Sequence, residues 1–372
     1  MDTLGETHPA QGRCADQRIP VPLARALSEL MAGVGPVAPT RMALDAAHGC
    51  ILAAPLVAPR PVPPHAVALR PGFAVRAGET TGATPYSPAL LTTEPVKVEV
   101  GSVLPGLADA VLPEDAVSTG PNGAEVSETA APGQWTRRAG EDARAGTVLR
   151  EPGRVLSSLD AAVASAAGVR ECDVRRPKVA LLRAPSQATP GGSILDDMLA
   201  SLCRDMGAEL IEGPSARSVS DSSLILAVVG PHPLRAPGTL AGAQILASSL
   251  ALRPGEDGCL ARLRDVPTIL VPNRVADLLA LWLCVVAPCL QTLTGRNTDV
   301  PGPRQLTRKI ASTVGLAEVA LLRQAGADLE PIATGDLPLS AIAAADFWHL
   351  VSPESEGYAA GTAIVAERLP GP

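Results

Sequence analysis

The sequence predicts an α/β protein of several domains, and three observations carry that expectation. At roughly 150 residues per domain, 372 residues allow two or three domains. Between residues 72 and 135, short Val-rich runs bounded by Gly, Pro, Asp and Asn read as a block of strands. From Lys178 to Gly295, apolar runs of strand length alternate with helical stripes, the pattern of a parallel, doubly wound sheet.

Composition narrows the function classes. With 46% hydrophobic and 19% charged residues, the chain is too apolar to stay unfolded. Aromatics are only 2%, so Ala, Val and Leu must fill the cores. The 37 Pro and 34 Gly, about 19% together, fall below the roughly 25–30% of low-complexity chains. The net charge of −7 leaves no basic surplus for phosphates, which argues against nucleic acid as a partner. Seven scattered Cys, at 14, 50, 172, 203, 259, 284 and 289, include no CxxC pair and read as reduced thiols filling core space. The polar start MDTLGETHPAQGR lacks a signal-peptide layout. The longest charge-free apolar run, Leu278–Leu290, is short of the roughly 20 residues of a membrane span. A soluble cytoplasmic protein is expected.

Along the chain, residues 1–20 read as a disordered tail. Leu23, Leu27, Leu30 and Met31 recur at helical spacing, and Gly33, Gly35 and Pro36 end that helix. A second short helix is expected over about 40–48. The Pro-rich stretch from Pro55 to Pro71 excludes helix and predicts an extended connection. Strands follow at Gly72–Arg76, Val96–Val100, Ala110–Leu112 and Ala124–Val126, then a helix near 156–167 with Gly168 as its C-cap. Val179–Arg183 reads as a strand. Leu195, Met198, Leu199, Leu202, Cys203 and Met206 form one helical stripe, capped by Ser193 and closed by Gly207. Leu224–Val229 and Pro267–Val271 are buried-strand candidates, and a long helix over about 274–293 stops at Gly295. Val300–Pro303 reads as a linker. Short strands and turns follow, the last strand near Thr362–Leu369.

Few motifs carry chemistry. GxSxG, HExxH and GxxxxGK are absent. Gly33–Ala38 fits GxGxxA but ends a helix instead of joining a strand to one, so it lacks the context of a dinucleotide site. The five His are isolated along the sequence. Two segments stay open. Arg137-Arg138-Ala139-Gly140-Glu141-Asp142 is either a solvated turn or a site where Arg binds phosphate and the carboxylates hold a metal or orient a hydroxyl. Val271-Pro272-Asn273-Arg274 is either a plain N-cap by Asn273 or a helix start that receives an anion.

Several segments together, in colinear order, resemble the molybdopterin molybdenumtransferases, the MoeA and gephyrin E-domain family. Leu44–Ala53 is similar to the family's entry segment. Pro63-Pro64 with Gly72-Phe73-Ala74-Val75-Arg76-Ala77 is similar to PPFDNSAMDGYAVRA, and Gly101–Pro105 with Ala108–Val111 to TGAPLPEGADAVV. Arg138–Asp142 with Gly146 resembles RxxGEDxxxG. Leu252–Gly255 and Val271–Asn273 fall where PGKP and LPGNPVS occur, and Ala359–Gly361 where AGE does. The resemblance covers about 21–372. It implies an elongated fold of four subdomains: a helical and extended piece (21–33, 52–59, 140–176), a small β domain (60–139), a molybdopterin-binding type α/β domain (34–51, 177–300) and a C-terminal β barrel-like domain (301–372). It also implies a homodimer and the transfer of molybdate onto adenylylated molybdopterin with Mg²⁺.

The departures from the family pattern are equally informative. DNSAMD is replaced by Ala66–Pro71, which removes both acids. STGDEL is replaced by Arg183–Ala188, and GGVSVGDYD is reduced to Gly230–Leu234. LPGNP loses its Gly and carries Arg274 in place of its second Pro. The resemblance then leaves Glu141 and Asp142 as catalytic candidates and Arg138, Gly101, Ser102, Asn273 and Arg274 as cofactor-binding candidates, with no metal ligands assigned. The expected role is molybdenum-cofactor biosynthesis with weakened or lost catalysis. The alternative is a non-catalytic paralogue that carries the pterin to a molybdoenzyme or pairs with an active family member.

Overall fold

The structure, a computed structural model, describes residues 19–121, 123–183, 192–212, 220–229 and 242–370. All but Ile19 and Pro20 of the expected tail lies outside the described residues, and Ser193, expected as a cap, lies inside the helix Gly192–Asp205. The chain forms two compact units. Residues 38–175 form an insert; the segments before and after it form an α/β unit.

In the α/β unit, Glu209–Glu212, Lys178–Arg183, Leu224–Val229 and Val266–Pro272 lie side by side and parallel. Cys259–Leu263 and Ala243–Ala247 extend the sheet antiparallel, so it is mixed, not wholly parallel as expected. The cause is the connection between Leu263 and Val266, which has only Arg264 and Asp265, at φ 52° and 64°. Two left-handed residues make a tight hairpin turn, whereas a parallel crossover needs a dozen residues or more. Leu224, Leu226 and Val228 join the main core, while Ile225, Ala227 and Val229 are buried on the opposite face. Burial on both faces explains the uninterrupted apolar run.

Among the helices packed into that main core are α1 (Leu23–Met31), α3 (Gly192–Asp205) and α4 (Val275–Thr294). The helix α2 (Ser158–Ala166) belongs to the insert. By length and composition α4 is apolar enough to cross a membrane, but 67% of its most apolar window is buried, as in a core helix. It widens to a π turn at Trp282–Val286, which accommodates Pro288, and ends at Gly295 with φ 64°.

The helix α1 is held in this unit, not with the helical and extended piece. Ala26 and Leu30 are fully buried in its core, and the Arg262 guanidinium donates to the Leu30 carbonyl (2.8 Å) and to that of Ala32. Nor does Val300–Pro303 detach the C-terminal segment. Leu252–Arg253 pairs parallel with Ala317–Glu318, and Val319 and Leu321 sit in the same core. The segment is more regular than expected, with a hairpin of Ala317–Ala325 and Asp328–Thr334 and a short helix α5 (Leu339–Ala344).

In the insert, the helix expected over 40–48 is absent. Thr40–Ala43 is a strand paired with Glu171–Arg175, followed by turns that bury Leu44 and Ala47. Long-range pairing overrides the local helical spacing there. The helix α2 (Ser158–Ala166) starts on a capping box of Ser157 and Asp160 and is followed by Gly168 at φ 92°. The strand Gly72–Val75 lies between Val96–Val98 and Ala110–Leu112. A Cβ on Gly72 would stand 2.1 Å from the Leu112 carbonyl oxygen, so packing alone demands glycine there. The six described cysteines are all buried, and burial pushes the Cys203, Cys284 and Cys289 thiols up to about 12. They fill space instead of reacting.

Candidate functional site

Most of the site residues expected from the sequence gather in the insert. Val67–Ala68 pairs antiparallel with Thr136–Arg137 on one side. On its other side it meets the 101–104 segment, through the Val67–Val103 bridge and bonds from Gly101 N–H to the Ala68 carbonyl (2.8 Å) and from Ala68 N–H to the Ser102 carbonyl (2.9 Å). The Gly140–Asp142 turn docks on the segment just before that strand: Gly140 N–H donates to the Pro63 carbonyl and Asp142 N–H to that of Val62, both at 2.9 Å. Gly101, Ser102, Arg138, Glu141 and Asp142 thus share one small substructure.

Their polar groups are largely engaged within it. Gly101 N–H is spent on Ala68, and Ser102 N–H donates to the Glu99 carbonyl at 3.0 Å, so neither is free to cradle an anion. The Ser102 hydroxyl oxygen accepts Glu99 N–H at 3.1 Å. Glu141 Oε2 accepts Arg138 N–H at 2.9 Å, and Asp142 pairs with the Arg137 guanidinium. The exposed Arg138 and Arg144 guanidinium groups make no ion pair among the described residues. A hard dication needs several carboxylate or carbonyl oxygens free to ligate it. Here one oxygen of each carboxylate is bonded, and three arginines crowd the turn. The residues present do not fit Mg²⁺. Among the described residues, no group of three His, Cys, Asp or Glu side chains forms a metal cluster.

The other two expected residues, Asn273 and Arg274, lie in the α/β unit where Val266–Pro272 runs into α4. Asn273 N–H donates to the Val229 carbonyl and Arg274 N–H to that of Pro272, both at 2.8 Å. Arg274, not Asn273, occupies the N-cap position, with no side-chain capping bond. The Asn273 amide makes no hydrogen bond among the described residues. Asp277, buried in the first turn of α4, takes the place an incoming anion would have. Its Oδ1 accepts Gly255 N–H at 3.1 Å, and Oδ2 lies 3.0 Å from Arg274 Nε. Burial raises the Asp277 pKa; Arg274 and the Gly255 bond oppose that, and Asp257 and Glu256 add to it. The segments Arg183–Ala188 and Gly230–Leu234 fall almost wholly outside the described residues.

Sequence reasoning missed three residues. Arg70 lies 3.4 Å from the centre of the Trp135 ring, and Trp135 holds a left-handed backbone at φ 54°. One Trp of three, in a chain so poor in aromatics, was a signal available in the sequence. Asp277 carried no such mark: an acid in a first helical turn is common.

Comparison with known proteins places this geometry. Residues 21–168 match the MoeA N-terminal region, domains I and II. That stretch of the chain is similar to the N-terminal region of MoeA proteins. Molybdopterin molybdenumtransferase 2 of Mycobacterium tuberculosis strain H37Rv is 27% identical over 349 residues, 81% of this chain and 84% of that protein. Molybdopterin molybdenumtransferase 1 of the same strain is 26% identical over 321 residues, 70% and 75% of the two chains. The solved structure of a molybdopterin biosynthesis MoeA protein from Pyrococcus horikosii superposes with a TM-score of 0.74 at 22% identity, covering 95% of this chain and all of that one. A molybdenum cofactor biosynthesis protein from Pyrococcus furiosus gives 0.57 at 15% identity, covering 94% and 99%. The MoeA fold is therefore shared across nearly the whole chain, its mixed α/β sheet included.

Proposed function

We propose that this MoeA-like protein works in molybdenum-cofactor biosynthesis and binds a molybdopterin-type ligand, with molybdate insertion weakened or lost. Similarity to the MoeA N-terminal region and to molybdopterin molybdenumtransferases supports the pathway and the ligand class. The observation that carries the loss of catalysis is the engagement of Glu141 by Arg138 N–H and of Asp142 by Arg137. A carboxylate bonded to its own turn would be a poor ligand for a hard dication, which would otherwise help neutralise phosphate charge. Arg138, still exposed and unpaired, keeps the chemistry of a bidentate phosphate ligand. The Asn273 amide is a second open group, borne on the α/β unit.

A homodimer is part of this reading. Leu159 and Val163 of α2 are exposed, as are Val148 and Val57, which pair in adjacent strands. Exposed apolar side chains of this kind suit burial against a second copy. The cytoplasm is the proposed compartment, in keeping with buried cysteines and an acidic chain.

The test is molybdate-dependent AMP release from adenylylated molybdopterin by the purified protein, run beside an active family member. The expected result is little or no release, with pterin retained on the protein and detected by fluorescence after oxidation. Release at the rate of the active enzyme refutes lost catalysis. Failure to retain any pterin refutes the binding role and favours a scaffold that pairs with an active family member.

A further inference from the structure

One carboxylate of the α/β unit sits where a dissolved anion would bind. Asp277 is 4% exposed, in the first turn of α4. Its Oδ1 accepts Gly255 N–H at 3.1 Å. Its buried Oδ2 lies 3.0 Å from Arg274 Nε, an ion pair outside hydrogen-bond geometry.

These partners come from separate segments, and each is fixed. Gly255 holds φ 115°, a conformation that favours glycine, and a Cβ on it would stand 3.1 Å from the Leu252 side chain. Its turn is tied down by Arg253, which pairs with Glu256 at 3.1 Å and with the buried Glu318 at 3.5 Å. Arg274 occupies the N-cap of α4 and makes no capping bond. The first N–H groups of a helix lack intrahelical acceptors, and its dipole favours negative charge beside them. A backbone donor, a guanidinium and a helix start around one carboxylate are the parts of an oxyanion site. Here the oxyanion belongs to the chain itself. Burial, Asp257 and Glu256 all disfavour its charge, whereas Arg274 and Gly255 N–H favour it. An anion arriving from solvent would meet the same two acids and find the donors already engaged.

We propose that Asp277 closes an oxyanion site from within: its carboxylate fills the cradle of Gly255 N–H, Arg274 and the α4 start, and keeps small oxyanions of the solvent out. The inference deepens the reading of weakened molybdate insertion and rests on it for the ion that is turned away. The cradle itself is tested without pterin.

The test empties the cradle in the full-length protein. Asp277→Ala frees Gly255 N–H and Arg274, whereas Asp277→Asn keeps an oxygen on the donor. Melting is followed at neutral pH with sodium formate, with sodium molybdate, and with sodium chloride at equal ionic strength. Formate and molybdate are expected to bind the Ala variant with millimolar Kd, raising its melting temperature by about 3–6 °C at roughly ten times that concentration. Relative to chloride, the native protein and Asp277→Asn should not respond. Adding Arg274→Ala to Asp277→Ala should abolish the rise. Should the Ala variant not fold, Asp277→Ser, which keeps a small oxygen acceptor, takes its place. The proposal is overturned if native, Asn and Ala proteins respond alike to formate, or if the rise survives Arg274→Ala. A response to formate without one to molybdate upholds the filled cradle and removes molybdate as the ion excluded. Neither result changes AMP release by the native protein, so the two readings fail separately.

Discussion

Asp277 offers the clearest quantitative test of the α/β unit. It is only 4% exposed, yet carries a carboxylate between Gly255 N–H and Arg274. Replacing it with Ala leaves the buried Gly255 N–H without an acceptor, a cost of about 1–3 kcal/mol. Asp277→Asn keeps an oxygen for that donor and discards the buried charge. What Asn loses is the pair to Arg274, whose side chain is 62% exposed, and such screened pairs contribute about 0–1 kcal/mol. The two variants should therefore differ by about 1–3 kcal/mol, with Ala the less stable. In a unit of this size, that is roughly 2–4 °C in melting temperature per kcal/mol by calorimetry. The sign of the pH dependence follows from the raised pKa. Ionisation is harder in the folded state, so the charged form costs stability above the folded pKa, and this cost fades on acidification. Asp277→Asn should gain on the native protein at neutral pH, and that advantage should shrink as the pH falls and Asp277 takes up its proton. Equal melting of Ala and Asn variants, or a strongly destabilised Asn variant at neutral pH, would refute the reasoning.

Other outcomes follow from the same physics. Glu79 accepts bonds from the Thr92 and Thr93 N–H groups and the Thr93 hydroxyl, which hold its pKa down to about 2 from 4.5. Glu79→Gln should melt below the native insert at neutral pH, and the gap should close as the pH falls from 4.5 to about 2, monitored by circular dichroism. Gly72→Ala, which meets the Leu112 carbonyl, should cost well over the roughly 1 kcal/mol expected for Gly101→Ala, which meets nothing, as read from urea unfolding midpoints. Arg262→Leu should leave the carbonyls at the end of α1 short of a donor and raise amide hydrogen exchange across Leu23–Met31 selectively. Arg138→Ala should reduce pterin retention with no change in melting temperature; unchanged retention would remove Arg138 from the ligand site.

Where local chemistry decided the structure, the sequence was readable. The α2 capping box, Gly168, Gly207 and Gly295, and the apolar stripe of α3 all sit as their residue types require. The colinear segments from Leu44 to Gly361 carried the MoeA resemblance when no single one sufficed, and residues 21–168 do match the MoeA N-terminal region. Long-range effects were opaque. Thr40–Ala43 has helical spacing, but a partner strand about 130 residues away makes it β. The assignment of α1 turned on Arg262, 232 residues from Leu30. At the site, residue types such as Glu141 and Asp142 were visible, but not that their oxygens are bonded within their own turn. Hydrogen bonds of that kind depend on backbone geometry that composition does not carry.

The placement of α1 also bears on how the protein is made. A ribosome adding roughly 5–20 residues per second releases α1 first, but the sheet and the guanidinium that cover Ala26 and Leu30 arrive more than 200 residues later. For roughly ten to fifty seconds the helix has no cover. The insert meets no such delay, because Thr40 and Val174 at its two ends pair with each other and complete it before the rest is synthesised. The nascent chain therefore matures from its middle outward, and the interval before α1 docks is when it most needs a chaperone.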